Sequence, residues 1–218
     1  MPQRKRIWRL GHDLLHFLVP GWLDKMPNNA LRDEMRQAGL ALVHIPKCAG
    51  NSVANRLYRR APSHRTWRWY QGIGVPTIAV VRDPVERFIS AYDFLRGGGI
   101  TNADRLFARL HVADDINLFA RRLEQSRRIR SYYHFQEQGR YVLDGSRLAV
   151  DEIVPIEHLA RRFPDIAAVN TTGGPRTDRS ELTAASIRLL EQVYRKDVLL
   201  HRLALREPGN VRGMVLEA

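Results

Sequence analysis

The stretch from Leu40 to Ser52 reads Leu-Ala-Leu-Val-His-Ile-Pro-Lys-Cys-Ala-Gly-Asn-Ser. Its first six positions are mostly apolar, which predicts a short buried strand, and Val53 and Leu57, spaced four apart, predict a helix directly after it. A loop that leads into a helix presents unpaired N–H groups and the positive end of the helix dipole, so phosphate and sulfate are its natural ligands. The sequence therefore predicts a strand, an anion-binding loop and a helix in succession.

The residue types of this anion loop, Pro46 to Ser52, suit an anionic ligand. Lys47 supplies a mobile cation, Gly50 permits a close backbone approach, and the hydroxyl of Ser52 can donate to an anion or cap the helix. The loop is not a Walker A sequence, because its lysine precedes the glycine instead of following it.

A second apolar run, Thr77 to Val81, predicts another strand that leads directly into a helix. Asp83 fits the cap of that helix and Pro84 fits its first turn. Its apolar stripe consists of Phe88, Tyr92 and Leu95.

Basic and hydroxyl side chains accompany this second helix. Arg87 and Ser90, spaced three apart, are predicted to share a face away from the apolar stripe. Arg82, at the end of the strand, is predicted to converge with Ser90 on one anion.

Together the two stretches resemble the paired signature of sulfotransferases that use 3′-phosphoadenosine 5′-phosphosulfate (PAPS), in the carbohydrate branch that includes heparan sulfate 2-O-sulfotransferases. The matching residues read Pro-Lys-Cys-Ala-Gly-Asn-Ser and then Arg-Asp-Pro-Val-Glu-Arg-Phe-Ile-Ser-Ala-Tyr. In that family the first loop holds the 5′-phosphosulfate, and the Arg and Ser of the second motif hold the 3′-phosphate. The resemblance implies donor contacts from Lys47, Cys48, Ala49, Gly50, Asn51, Ser52, Arg82 and Ser90.

The remaining chain predicts further strands and helices in alternation. A third strand is predicted over Ala149–Ile156, and helices are predicted over Asp104–Leu110, Asp115–Leu123, Glu157–Phe163 and Thr183–Leu203. Strands separated by helices favour a parallel sheet with helices on both faces and a ligand site at the carboxyl ends of the strands. The resemblance implies a P-loop-like α/β fold, a three-layer sandwich with a central, mainly parallel sheet.

The chain is predicted to form an N-terminal amphipathic helical extension, residues 1–38, and one sulfotransferase domain, residues 39–218. The helix predicted over Arg4–Val19 is too short and too often interrupted by polar residues to span a membrane, and it lacks the features of a signal peptide. We expect a cytoplasmic enzyme whose N-terminal helix packs on the domain, with peripheral contact to an anionic membrane as the alternative.

The net charge of +12 comes from 31 Arg and 4 Lys against 23 acidic residues, so the surface attracts polyanions. The arginines are scattered through predicted helices and no aromatic-rich binding module is present, so nucleic acid is not expected as the main partner.

The single Cys48 excludes an internal disulfide. We interpret it as a small loop filler, with a reactive thiol as the alternative.

The predicted reaction is transfer of a sulfonate group from PAPS to a hydroxyl of a carbohydrate or glycoconjugate, without a metal. Lys47 is expected to stabilise or protonate the departing oxygen. The acceptor hydroxyl needs a base. Where the resembled family uses His, it lies between the two motifs, which implies His64, while His134, Glu137 and Asp93 remain alternatives.

Two other functions remain open from the sequence. If the protein were a small-molecule kinase, Thr77–Asp83 would be its Walker B strand and Asp83 would bind Mg²⁺. A basic nucleic-acid-binding protein without catalysis is the alternative from another class.

Overall fold

Three short strands form a parallel sheet at the centre of the chain. The computed structural model describes residues 28–59, 62–166, 176–206 and 209–216. In those residues the sheet has the order β1–β2–β5, with bounds β1 Ala41–Val43, β2 Thr77–Val81 and β5 Glu152–Pro155. β1 and β2 are buried along their whole length, as expected of parallel strands covered by helices. A separate antiparallel hairpin pairs β3, Leu143–Asp144, with β4, Arg147–Leu148.

Helices occupy most of the remaining described residues. They are α1 Asn29–Ala38, α2 Gly50–Tyr58, α3 Trp67–Tyr70, α4 Pro84–Arg96, α5 Asn102–His111, α6 Ile116–Gln125, α7 Arg127–Ser131, α8 Gly139–Val142, α9 Leu159–Arg162, α10 Ala184–Val193 and α11 Arg195–Arg206. Two 3₁₀ turns cover Ile156–His158 and Arg179–Glu181. The chain is therefore a mixed α/β protein with a small parallel sheet flanked by helices, as the sequence predicts at this coarser level.

The predicted start of the second helix is confirmed. Pro84 is the first residue of α4, and Asp83 Oδ1 accepts hydrogen bonds from Val85 N at 2.9 Å and Glu86 N at 3.0 Å. The carboxylate thus satisfies two N–H groups that have no partner within the helix.

Three predicted elements differ from the observed ones, the first being the helix predicted over Glu157–Phe163, which is a 3₁₀ turn followed by the short helix α9. The third strand covers only Glu152–Pro155, because the chain turns into a 3₁₀ helix at Ile156. The single helix predicted over Thr183–Leu203 is wrong: α10 ends at Val193 and α11 begins at Arg195. The buried Tyr194 between them donates a hydrogen bond to the Phe135 carbonyl at 2.9 Å, and satisfying this buried hydroxyl accompanies the break.

Helix α1 packs on the sheet although it falls within the predicted N-terminal extension. Leu31 and Met35 are buried in the same hydrophobic cluster as β1 and β2. Arg32 and Arg36 donate hydrogen bonds to backbone carbonyls of the α3 region. Residues 29–38 therefore share the core of the domain, whereas the helix predicted over Arg4–Val19 lies outside the described residues.

No helix of the described ranges is long and apolar enough to cross a membrane.

Candidate active site

A cleft of about 320 Å³ opens at the carboxyl ends of all three parallel strands. His44 follows β1, Arg82 follows β2 and Ile156 follows β5, and each lines this cleft. The other lining residues are Lys47, Ala49, Gly50, Asn51, His64, Glu86, Ile89, Ser90, Asp93, Arg176 and Thr177. Ligands of open parallel sheets bind at this edge, so the cleft is the candidate active site.

A larger cavity of about 560 Å³ lies at the opposite edge of the sheet, where β2 begins at Thr77. Its charged lining residues, Asp151 and Arg212, pair with each other at 2.5 Å, and Asp151 also accepts from Thr77 N at 2.7 Å. This network holds the chain near the C-terminus on the sheet. Because Asp151 and Arg212 already neutralise each other, we assign the network a structural role.

The backbone of the anion loop has two left-handed positions that are not glycine. Lys47 has φ +66° and Ala49 has φ +57°. Such residues cost about 1 to 3 kcal/mol each and persist only where the surrounding structure holds them, which is common in ligand-binding loops. Here the buried side chain of Cys48, between the two, anchors the loop in the core.

Gly50 opens helix α2 directly against the ring of His44. A Cβ atom at Gly50 would overlap that ring, which the Pro62 carbonyl holds through Nδ1 at 2.8 Å. Glycine is therefore required at position 50 by the ring of His44, and Gly50 also lines the cleft, where its close approach to a ligand stays a prediction. Ser52 is the third residue of α2, whose N-cap is Ala49, so the predicted capping role of Ser52 is not observed.

Lys47 projects over the aromatic ring of Phe94. Its Nζ atom lies 4.1 Å from the ring centroid. Burial, reinforced by the positive charge of Arg82, lowers the pKa of Lys47 to about 8. An ammonium group with this pKa gives up its proton more readily than an exposed lysine, as a proton donor at neutral pH requires.

Arg82 and Ser90 line the same cleft, as predicted, but Arg87 does not join them. Only 1% of the Arg87 side chain is exposed, and its guanidinium donates to the carbonyls of His134 at 3.2 Å and Gln136 at 2.7 Å. The predicted shared face of Arg87 and Ser90 is therefore wrong. Helix α4 is buried on more than one side, so the face opposite its apolar stripe is not fully exposed to solvent.

His64 lies in the cleft with a defined ring orientation. Its Nδ1 is 3.0 Å from the His44 carbonyl, which can only accept, so Nδ1 carries the hydrogen and the neutral ring has its lone pair on Nε2. Its ring stacks on Tyr133 with centroids 5.7 Å apart. The structure thus brings His64 together with Lys47 and Arg82 around one space.

The alternative bases are less well placed. Asp93 lines the cleft, but Thr177 occupies both of its oxygens, through N at 3.0 Å and Oγ1 at 2.6 Å. His134 is buried 3.4 Å from Asp104, and burial lowers its pKa to about 4. Glu137 is exposed and lies outside the cleft lining.

Cys48 turns away from the cleft into the core. Its thiol donates to Gln138 Oε1 at 3.2 Å, and burial raises its pKa to about 12. A thiol with this pKa stays protonated at neutral pH, which supports its interpretation as a loop filler.

One carboxylate oxygen of Asp83 is already engaged in protein contacts. Besides capping α4, its Oδ1 accepts from Arg179 at 3.0 Å, and Arg179 also pairs with Glu86 at 3.3 Å. A carboxylate committed to a helix cap and an arginine is poorly prepared to hold Mg²⁺. In the described ranges no group of three or more His, Cys, Asp or Glu side chains has a metal-binding arrangement.

Sequence reasoning missed two contributions to the site. Glu86 stands 3.8 Å from Arg82 and is shared with Arg179, 93 residues away in the chain. Gln138 binds both the anion loop and the end of β2, and the sequence around it, polar and aromatic from Ser131 to Gly139, has no clean period that would single it out. The contacts of Arg179 with Glu86 and of Gln138 with Cys48 and Arg82 join distant segments, so no local sequence pattern predicts them.

Comparisons with protein-family models, curated proteins and solved structures found no match to this chain. The fold and the cleft by themselves define a mixed α/β protein with a partly basic cleft at the carboxyl edge of a parallel sheet.

Proposed function

We propose that this protein is a sulfotransferase that moves a sulfonate group from PAPS to a hydroxyl of a carbohydrate or glycoconjugate. The observation that carries the proposal is the convergence of Lys47, Arg82, Ser90 and His64 on one cleft, although the sequence separates them by up to 43 residues. The finer fold that goes with the proposal is a P-loop-like three-layer sandwich. The strand, loop and helix order around Lys47 and the parallel pairing of β1 with β2 support it.

The donor has two anionic ends, and the cleft offers a separate set of groups for each. The anion loop, with Lys47 and the N-terminus of α2, suits the phosphosulfate end. Arg82 and Ser90 suit the 3′-phosphate through charge-assisted hydrogen bonds. The volume of about 320 Å³ lies within the range of small-molecule sites.

Transfer proceeds by in-line displacement at sulfur. The acceptor oxygen forms a bond to sulfur while the bond from sulfur to the bridging oxygen of the 5′-phosphate breaks. His64 Nε2 takes the acceptor proton, and the Lys47 ammonium stabilises or protonates the oxygen that departs. The products are a sulfate ester and 3′,5′-bisphosphoadenosine.

The two alternatives have less support. A kinase would need Asp83 for Mg²⁺, but that carboxylate caps α4 and pairs with Arg179. A nucleic-acid binder needs a continuous basic surface, whereas the cleft places Glu86 and Asp93 among its basic groups.

A thermal-shift screen tests the proposal with 3′,5′-bisphosphoadenosine, 5′-AMP, ATP with Mg²⁺ and a single-stranded oligonucleotide. We expect the bisphosphate to raise the unfolding temperature most and 5′-AMP much less, because 5′-AMP leaves Arg82 and Ser90 without a phosphate. A response to ATP that requires Mg²⁺ would support the kinase instead. A response to oligonucleotide alone that collapses with salt would support the binder.

A further inference from the structure

The side-chain amide of Gln138 connects the two segments that line the cleft. Its Oε1 accepts from Arg82 N at 2.9 Å and from Cys48 Sγ at 3.2 Å, and its Nε2 donates to the Arg82 carbonyl at 2.8 Å. Gln138 has no exposed surface. One buried amide therefore holds the backbone of Arg82 and the centre of the anion loop, which lie 56 and 90 residues away from it in the chain.

The backbone of Gln138 is itself anchored in the core. Its N–H donates to Asp197 Oδ2 at 2.8 Å, and Gly139 N–H donates to Oδ1 at 2.9 Å. Asp197 has no exposed side-chain surface and lies 3.6 Å from the Arg87 guanidinium, which also holds the carbonyls of His134 and Gln136. The bridge to the cleft is thus fixed to a buried ion pair.

The amide supplies partners that the end of β2 otherwise lacks. Arg82 follows the last paired residue of the central strand, and Gln138 meets both its N–H and its carbonyl as a neighbouring strand would. Losing these bonds would leave partly buried backbone groups unsatisfied and free Arg82 to shift.

We propose that Gln138 is a positioning residue that sets the distance between the anion loop and Arg82. The cleft then accepts, on one ligand, two anionic groups at a defined separation. The choice of ligand rests on the proposed function, but the mechanical link between the two segments does not depend on it.

The effect of Gln138 on the anion loop can be measured without any ligand from the rate of thiol labelling, because Cys48 is the only cysteine of the chain. Labelling by a thiol reagent under native conditions therefore reports on the anion loop alone. We compare wild type, Gln138→Met and Gln136→Met, each at the same interval below its own unfolding temperature. Gln136 is the matched control, since it is a buried amide of the same segment that bonds to Ser131 O at 2.8 Å and Tyr141 Oη at 3.1 Å, away from both cleft segments.

We expect Gln138→Met to speed labelling of Cys48 by about tenfold or more, which corresponds to loss of a bond worth about 1.4 kcal/mol, and Gln136→Met to stay within about threefold of wild type. Equal rates in the two variants, or no acceleration in Gln138→Met, would overturn the link.

The consequence for the ligand is measured as the ratio of the dissociation constants of 5′-AMP and 3′,5′-bisphosphoadenosine. This ratio reports the benefit of the second phosphate, so we expect it to fall by about five- to tenfold in Gln138→Met and to be unchanged in Gln136→Met. An unchanged ratio in Gln138→Met, despite faster labelling, would overturn the role in spacing.

Gln138→Glu provides a second test of the role in spacing if Gln138→Met does not fold. A carboxylate cannot donate to the Arg82 carbonyl, whereas a protonated carboxyl can, so the ratio should recover toward wild type as the pH falls. No recovery relative to wild type at the same pH would contradict the proposal. If wild type itself shows no preference for the bisphosphate, the proposed function fails, and the labelling rates still decide the link.

Discussion

The Lys47 ammonium nitrogen lies 4.1 Å from the centroid of the Phe94 ring, within the distance of a cation–π interaction. Phe94 in turn packs edge-on against the buried ring of His134, with centroids 4.8 Å apart. The Lys47 ammonium therefore contacts an aromatic ring that itself packs against the core. This support opposes the effect of burial, which lowers the pKa of Lys47 to about 8.

Replacing Phe94 with Leu should weaken catalysis through Lys47. The ring favours the charged ammonium, so its loss lowers the pKa of Lys47 further. The alkaline limb of kcat/KM should then move to lower pH by about half a pH unit or more. Rates measured from pH 6 to 10 check this.

Phe163→Leu is the control, because Arg162 lies 4.9 Å from the Phe163 ring outside the cleft. A Phe94→Leu profile that coincides with those of wild type and the control would contradict a role for the ring.

The pH dependence of wild-type kcat/KM should be bell-shaped. His64 must be neutral to accept a proton, so the rate rises with pH along an acidic limb as its ring loses a proton. Lys47 must be charged, so the rate falls as the pH passes about 8. His64→Ala should remove the acidic limb while leaving the binding of 3′,5′-bisphosphoadenosine nearly unchanged.

Two carboxylate variants separate His64 from its competitors. Asp93→Asn and Glu137→Gln should each retain the acidic limb. If either removes it and His64→Ala does not, the base is that carboxylate. An undiminished rate in His64→Ala would end the assignment.

Arg82→Ala should weaken binding of 3′,5′-bisphosphoadenosine by about 2 kcal/mol or more, since a charge-assisted contact to phosphate is lost. Binding of 5′-AMP should change much less, because it lacks the phosphate that Arg82 holds. Calorimetry on both ligands measures the difference. Arg96→Ala, at the other end of α4 and outside the cleft lining, is the control. Equal losses for both ligands would remove Arg82 from the 3′-phosphate.

Arg179 should assist donor binding by sharing Glu86 with Arg82, which weakens the pairing of Glu86 with Arg82. Glu86 lies 3.3 Å from Arg179 and 3.8 Å from Arg82. In Arg179→Ala, Glu86 pairs more closely with Arg82 and competes more strongly with the ligand, so affinity for 3′,5′-bisphosphoadenosine should fall by about three- to fivefold, as expected for a partly exposed pair.

Adding Glu86→Gln to Arg179→Ala removes the competitor and should restore most of that affinity. Additive losses in the double variant would show that Arg179 does not act through Glu86.

Gly50→Ala should destabilise the fold by about 1 to 3 kcal/mol, because the added methyl group overlaps the ring of His44. Urea unfolding measures the loss. Gly97→Ala is the control, since Gly97 has a negative φ and an added Cβ there makes only ordinary contact. Combining Gly50→Ala with His44→Ala should cost less than the sum of the single changes, and strict additivity would contradict the overlap.

The sequence by itself determined the features that depend on near neighbours. Asp83 and Pro84 start a helix because a carboxylate can cap its N–H groups and proline loses no helical hydrogen bond there. The apolar runs before Lys47 and Arg82 become strands of one parallel sheet, so these two residues lie at the same edge. The order of strands and helices was therefore sufficient to predict that Lys47, Arg82 and Ser90 line one cleft.

Only the tertiary structure decided how distant segments meet. Arg87 belongs to the core because the carbonyls of His134 and Gln136 surround it, and helical spacing alone cannot reveal that both sides of α4 are covered. The predicted long C-terminal helix is interrupted at Tyr194, whose buried hydroxyl meets the carbonyl of Phe135. Gln138 reaches Cys48 and Arg82 across 90 and 56 residues. These contacts arise from packing, because buried polar groups must find partners wherever the fold brings them.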